Sequence, residues 1–260
     1  MFASESRPHP AQTLFGVRIS VLDVPGTLRA FGRMLVDGGT HQVATVNPEF
    51  LVRAQLDREY QAILNRCDLT TVDGIGVALA LRLLYRRPVA RVTGADLVPE
   101  LAQVAARQSV PVYLLGGAPG VAARAASELQ RRCPELRVAG AQAGSPEPEA
   151  DEETVSAIAS SGARLLLVAF GSPLQERWIA RNLGSLPACV AIGVGGTLDY
   201  LAGTVPRAPR WMRTAGLEWL YRLYRQPGRW RRQLALPLFA YMVLRALAGR
   251  RWPPSRQVPA

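Results

Sequence analysis

Seven short runs of apolar, largely β-branched residues punctuate the chain, at 17–22, 42–46, 69–72, 112–115, 136–139, 165–170 and 190–194. Runs this short have strand length, and the stretches between them carry a helical period. Within 48–67, Tyr60, Ile63, Leu64 and Cys67 fall at i, i+3, i+4 and i+7, which predicts one helix across the segment. Leu97, Leu101 and Val104 form a second such face, and Val121, Ala125 and Leu129 a third. Segment 75–85 is apolar nearly all round, the pattern of a buried helix. Strands alternating with helices predict an α/β domain, a mostly parallel, Rossmann-like sheet with helices on both faces. Residues 1–13 read as a flexible lead, 14–205 as the α/β domain, and 206–260 as a helical appendage.

In open parallel sheets the ligand crevice lies beyond the carboxyl ends of the strands. That rule selects Thr45 and Asn47, Asp73, Gly116 and Gly117, residues 171–175 including Gln175, and the stretch from Gly195 and Gly196 to Asp199. Each has a plain alternative. Asp73, just past a strand and before a helix, is placed to act as a general base or to cap that helix. Thr45 and Asn47 share one strand face and suit a sugar, or simply end the strand before Pro48. Gly116-Gly117-Ala118-Pro119-Gly120 resembles a phosphate-cradling turn, but lacks the GxGxxG spacing. Gln175 both donates and accepts hydrogen bonds, which suits a sugar or uracil. Glu176 complements a helix N-terminus.

Charge divides the chain sharply. Every cation is arginine, and residues 206–260 hold twelve arginines against one acid, Glu218. That surplus equals the +11 of the whole chain, so residues 1–205 are neutral. Such asymmetry points to an anionic partner for the tail. Trp211, Trp219, Trp230 and Tyr221 interleave with these arginines, a mixture that suits a lipid interface or an anionic ligand, or else an ordinary amphipathic helix packed on the domain with solvated arginines. The longest apolar stretch, 234–247, is interrupted by Arg245 and falls short of the roughly 20 residues a bilayer span requires. No apolar leader follows Arg7, Pro8 and Pro10, so no signal peptide is expected. Cys67, Cys133 and Cys189 form no CxxC and suit buried thiols in a reducing cytoplasm. With His9 and His41 the only histidines, and neither DxD nor GxSxG present, a metal site and a serine nucleophile are not expected. No cofactor is expected.

Nine segments, in order, resemble the WecG/TagA/CpsF glycosyltransferase family. They are Thr45-Val46-Asn47-Pro48-Glu49, Val72-Asp73-Gly74-Ile75-Gly76, Thr93-Gly94-Ala95-Asp96-Leu97, Leu115-Gly116-Gly117, Gly171-Ser172-Pro173-Leu174-Gln175-Glu176, Gly193-Val194-Gly195-Gly196, Ala202-Gly203, Arg207-Ala208-Pro209, and Gly216-Leu217-Glu218-Trp219-Leu220-Tyr221-Arg222-Leu223. The resemblance implies an inverting, metal-independent transferase. Its donor would be UDP-activated N-acetylmannosamine, the corresponding uronic acid, or glucose, and its acceptor a sugar on undecaprenyl diphosphate. It implies a catalytic role for Asp73, substrate contacts for Thr45, Asn47 and Gln175, and tail arginines reaching site and membrane, with Arg207, Arg222 and Arg225 as candidates. The protein would then sit peripherally on the cytoplasmic face of the cell membrane and make envelope or exported polysaccharide.

Two rivals make different predictions. A nicotinamide-type oxidoreductase needs GxGxxG after the first strand and an acid about 20 residues on, and neither is found. A basic membrane- or nucleic-acid-binding module without transferase activity predicts salt-dependent binding by the tail. The tail's tryptophans and the 234–247 run favour lipid, so nucleic acid is not expected as a partner.

Overall fold

The computed structural model describes residues 9–187 and 189–249, the side chain of Arg229 excepted. Two strands, β1 (Ala11–Leu14) and β2 (Val17–Ser20), form an antiparallel hairpin. Its two-residue turn, Phe15-Gly16, has positive φ at both positions, the geometry that matches strand twist. Residues 11–13, expected within a flexible lead over 1–13, belong to this hairpin, which the fully buried Leu14 holds down; the rest of that expectation, over residues 1–8, lies outside the described residues.

Six strands build the main sheet: β3 (His41–Val46), β4 (Leu69–Val72), β5 (Val112–Gly116), β6 (Val138–Gln142), β7 (Leu165–Ala169) and β8 (Val190–Gly193). Their spatial order is β4-β3-β8-β7-β5-β6, with every pairing parallel. Side chains alternate between two buried faces. Val43, Leu69, Leu114, Leu167 and Ile192 meet the helices Val24–Met34, Gly94–Arg107 and Val121–Arg132. Ala44, Val46 and Val72 face the helices Pro48–Leu56, Arg58–Arg66 and Ile75–Tyr85. Leu115, Leu166 and Ala191 face the helices Asp151–Ser161 and Leu174–Asn182. Burial on both sides is what a parallel sheet requires. The edge strand β4 is covered by β2, through Thr70 N–H donating to Ser20 Oγ and Thr70 Oγ1 donating to the Arg18 carbonyl.

Two helical expectations are corrected. The helix expected across 48–67 breaks at Asp57, which is extended and whose carboxylate accepts from Tyr60 N–H, capping a second helix. A short polar side chain offers the backbone that alternative. The helix Ile75–Tyr85 is not buried all round. Val77, Ala80 and Leu81 face the core, but Leu79 and Leu83 are 46% and 55% exposed.

The tail folds into short helices, Arg210–Thr214, Glu218–Arg225 and Trp230–Gln233, and a longer one, Ala235–Leu247. The last packs Phe239, Met242 and Val243 into the cluster shared with Pro48–Leu56 and Ile75–Tyr85. The tail is thus docked on the domain. Among the described residues no helix is long and apolar enough to cross a membrane. Residues 250–260 lie outside the described residues.

Candidate active site

The carboxyl ends of β4, β3, β8 and β7 open into one cleft, and the tail closes its far side. The cleft has two lobes. The first, of about 340 Å³, is lined by Thr45, Phe170, Ser172, Gln175, Gly195, Gly196 and Tyr200 among others. The second, of about 290 Å³, is lined by Pro48, Ile75, Gly76, Arg91, Trp219, Ala235 and Leu236 among others. Their common wall is Asn47, Glu49, Asp73, Thr93, Glu218, Arg222 and Arg232.

Asp73 stands in that wall because it is the first residue after β4, held by its N–H to the Val46 carbonyl at 2.8 Å. The capping alternative is not realised. Gly74, with φ +96°, occupies the cap position of the following helix, and no side chain caps it. Among the described residues no hydrogen bond engages the Asp73 carboxylate. Burial pushes its pKa up to about 7, and the nearby Glu218 carboxylate adds to the rise, while Arg222 and Arg91 oppose it.

Asn47 does two things at once. Its Oδ1 caps the helix Pro48–Leu56, accepting from Glu49 N–H at 2.9 Å and Phe50 N–H at 3.3 Å. That fixes the amide orientation and leaves Nδ2 to donate into the cleft. The Thr45 hydroxyl donates to the Gly193 carbonyl across the β3–β8 seam at 3.2 Å.

Gln175 lines the first lobe, but its amide holds loops together. Oε1 accepts from Gly171 N–H at 3.1 Å and Gly195 N–H at 3.0 Å, and Nε2 donates to Glu176 at 2.6 Å. Glu176 is buried, which pushes its pKa up to about 7 against hydrogen bonds from Gln175, Ser172 and Tyr60. It stands in the first turn of the helix Leu174–Asn182, as the sequence suggests, and is also held in a buried clasp by Gln175 and Tyr60. Gly193 has no side chain because a Cβ there would lie 2.4 Å from Gln175 Nε2.

Gly116 and Gly117, expected to cradle phosphate, line neither lobe. Gly116 ends β5 and Gly117 follows it, and β7 lies between β5 and the cleft-forming β8. Their glycines answer to packing instead: a Cβ at 116 would meet the Ala169 backbone at 2.7 Å, and one at 117 would meet Val121 at 2.9 Å.

The three arginine candidates separate. Arg222 reaches both lobes, lies over the Tyr200 ring at 5.1 Å, and has no ion pair among the described residues. Gly196 makes room for it, since a Cβ there would lie 2.6 Å from its Nη2. Arg207 lines neither lobe and is paired with Asp96 at 2.8 Å and Glu218 at 3.5 Å. Arg225 faces a separate surface groove with Thr204, Pro206 and Tyr224.

Sequence reasoning passed over Glu218, Arg232, Arg91 and Tyr200 as site residues. The one available signal was Glu218 as the sole acid in an arginine tail. Thr93-Gly94-Ala95-Asp96 has a second function as the tail's dock. Burial pushes the Asp96 carboxyl up, but the Thr93 hydroxyl and Arg207 hold it below the ordinary carboxylate range. Arg232 clips the tail to the domain with Nε and Nη2 on Glu49 at 2.9 and 3.0 Å.

A cleft at strand ends, with a buried carboxylate and an arginine that has no ion pair among the described residues in one wall, suits group transfer. Comparison with known proteins agrees: the profile of the Glycosyl transferase WecG/TagA/CpsF family matches residues 12–253. The chain is a glycosyltransferase. It belongs to the WecG/TagA/CpsF family. It is similar to an N-acetylglucosaminyldiphosphoundecaprenol N-acetyl-beta-D-mannosaminyltransferase of Bacillus subtilis (strain 168), at 36% identity over 205 residues covering 78% of each chain.

Proposed function

We propose that this chain takes a hexosyl group from a UDP-sugar and adds it, with inversion and without a metal, to a sugar carried on undecaprenyl diphosphate. The Bacillus relative's name makes N-acetylmannosamine the first donor sugar to test and a lipid-linked N-acetylglucosamine the first acceptor. The mannosaminuronic acid and glucose donors come next. The enzyme would work peripherally at the cytoplasmic membrane face. The exposed Trp211, Trp219 and Trp230, set among tail arginines, support that placement.

The donor occupies the first lobe and the acceptor the second, with Asp73 between them. The acceptor hydroxyl gives its proton to Asp73 as its oxygen attacks the anomeric carbon. The bond from that carbon to the UDP oxygen breaks on the opposite side, and the departing diphosphate carries the charge. Arg222 neutralises it, with Arg91 and Arg232 in the walls of the cleft. This reading assigns the diphosphate to guanidinium groups because Arg222 and Arg232 stand in the wall common to both lobes and Arg91 lines the second. A carboxylate with a pKa of about 7 is a stronger proton acceptor than an ordinary one and is still substantially ionised near neutrality.

One observation carries the proposal: the Asp73 carboxylate, free of hydrogen bonds from described residues, stands in the wall common to both lobes. Purified Asp73→Asn, assayed with UDP-N-acetylmannosamine and a short-chain acceptor, is expected to lose about 10²- to 10⁴-fold in kcat with its thermal unfolding still cooperative. Transfer within a few fold of the parent would remove Asp73 from the base role.

A further inference from the structure

We propose that the helix Ile75–Tyr85 of the α/β domain is itself a membrane-binding element. With the helix Ala235–Leu247 of the tail, it would form one face that seats the mouth of the second lobe on an anionic bilayer.

The helix's pattern suggests burial, yet its outer face is left in solvent. Leu79 and Leu83 are 46% and 55% exposed, one helical turn apart, and follow Ile75 along the same stripe. A soluble domain gains nothing by exposing such a stripe. The neighbouring helix repeats the arrangement, with Leu238, Tyr241 and Leu244 exposed and Phe239, Met242 and Val243 buried. Both helices pack their inner faces into the same apolar cluster, so their outer faces border one another.

Both stripes also begin at the same place. Ile75 and Gly76 of one helix and Ala235 and Leu236 of the other line the second lobe. Gly216 closes the join, its missing side chain letting Ile75 pack within the space a Cβ would take. The apolar surface thus radiates from the opening through which the acceptor enters, two residues from Asp73.

Charge selects the occupant. Arg82, Arg86 and Arg87 are exposed at the end of the domain helix, and Arg231 at the start of the tail's apolar run. Leucines flanked by arginines match acyl chains beneath anionic headgroups better than they match the apolar face of a second copy. A bilayer in this position brings a lipid-borne diphosphate level with the second lobe. That placement of the lobe rests on the lipid-linked acceptor proposed above, whereas membrane binding does not.

The test uses the full chain and Leu79→Asp/Leu83→Asp, neither residue lining a lobe, with Leu79→Ser/Leu83→Ser as a milder variant should the aspartates impair folding. Val36→Asp is the control, an exposed apolar residue on the helices' other side of the sheet. Flotation with phosphatidylglycerol-containing vesicles is expected to fall by about tenfold or more in the double variants and to stay unchanged in the control. Transfer to a water-soluble short-chain acceptor without vesicles should stay within twofold of the parent. Unchanged flotation would overturn the proposal. So would a parent oligomer that the variants convert to monomers, which would make the stripe a contact between copies. Loss of preference for long-chain acceptors in detergent, with flotation intact, would assign the stripe to the isoprenoid chain and likewise overturn it. Failure of the transfer reading would show separately, as no transfer by the parent with any UDP-sugar.

Discussion

Four arginines of the α/β domain pair with acids of their own region: Arg131 and Arg132 on Glu128, Arg177 between Asp57 and Glu59, Arg181 on Asp151. Arginines of the tail, with only Glu218 nearby in sequence, reach back to the domain. Arg207 and Arg213 meet Asp96, and Arg232 meets Glu49. Arg222 meets no acid among the described residues and turns into the cleft. The contrast divides the tail's surplus charge by function. Part of it is consumed in clips that fix the tail over the strand ends, and those clips hold Arg222 in the cleft wall that also carries Asp73. A neutral domain and a cationic strap thereby build one cleft whose wall neither part contains alone, and under the proposed mechanism its arginine meets the departing diphosphate.

The largest effect expected from breaking this arrangement is at Arg222. With the tail otherwise intact, Arg222→Ala should lower kcat/KM by about 10²- to 10³-fold, the scale of losing one preorganised charge donor, and Arg222→Lys should recover only part, because a point charge replaces a planar fork. Equal rates for parent and alanine variant would show the leaving group to be stabilised elsewhere. Deleting the whole tail is a poorer probe, since it also strips Phe239, Met242 and Val243 from the core.

A smaller effect sharpens the same contrast through pH. Glu218 is a like charge near Asp73 and raises its pKa. Glu218→Gln removes that repulsion, so Asp73 should ionise at lower pH and the acidic limb of the kcat/KM profile should move downward. The move should be less than the full displacement from the ordinary range, because burial is the larger cause. A limb that moves upward or not at all would detach Glu218 from the base.

The smallest expected effect is at the clip. Arg232→Ala and Glu49→Gln, combined in a double-mutant cycle followed by urea unfolding, should show a coupling of about 0.5–1 kcal/mol for a partly exposed pair. No coupling would mean that apolar packing alone docks the tail.

Much of this was readable from residue order. The strands, the parallel sheet and the position of Asp73 at a strand end follow from local periodicity and turn chemistry, which act over a few neighbours. The separation of Gly116 and Gly117 from the cleft was not readable, because it depends on β7 lying between β5 and β8 although those strands are far apart in sequence. The engagement of the Gln175 amide was equally hidden. Its partners Gly171 and Gly195 come from two different loops, and only their convergence shows that the side chain clasps loops.

The sequence by itself determined the fold class, the division into a neutral domain and a cationic tail, and the carboxylate at the rim, because each is written in patterns a few residues long or in simple charge. Tertiary structure alone decided which arginine faces the cleft, which acids hold the tail, and that the apolar helix Ile75–Tyr85 shows leucines to solvent. A hydrophobic pattern is the same whether a face meets protein or lipid, and an arginine has the same sequence signature whether paired or free. Those distinctions exist only once distant segments have been brought together.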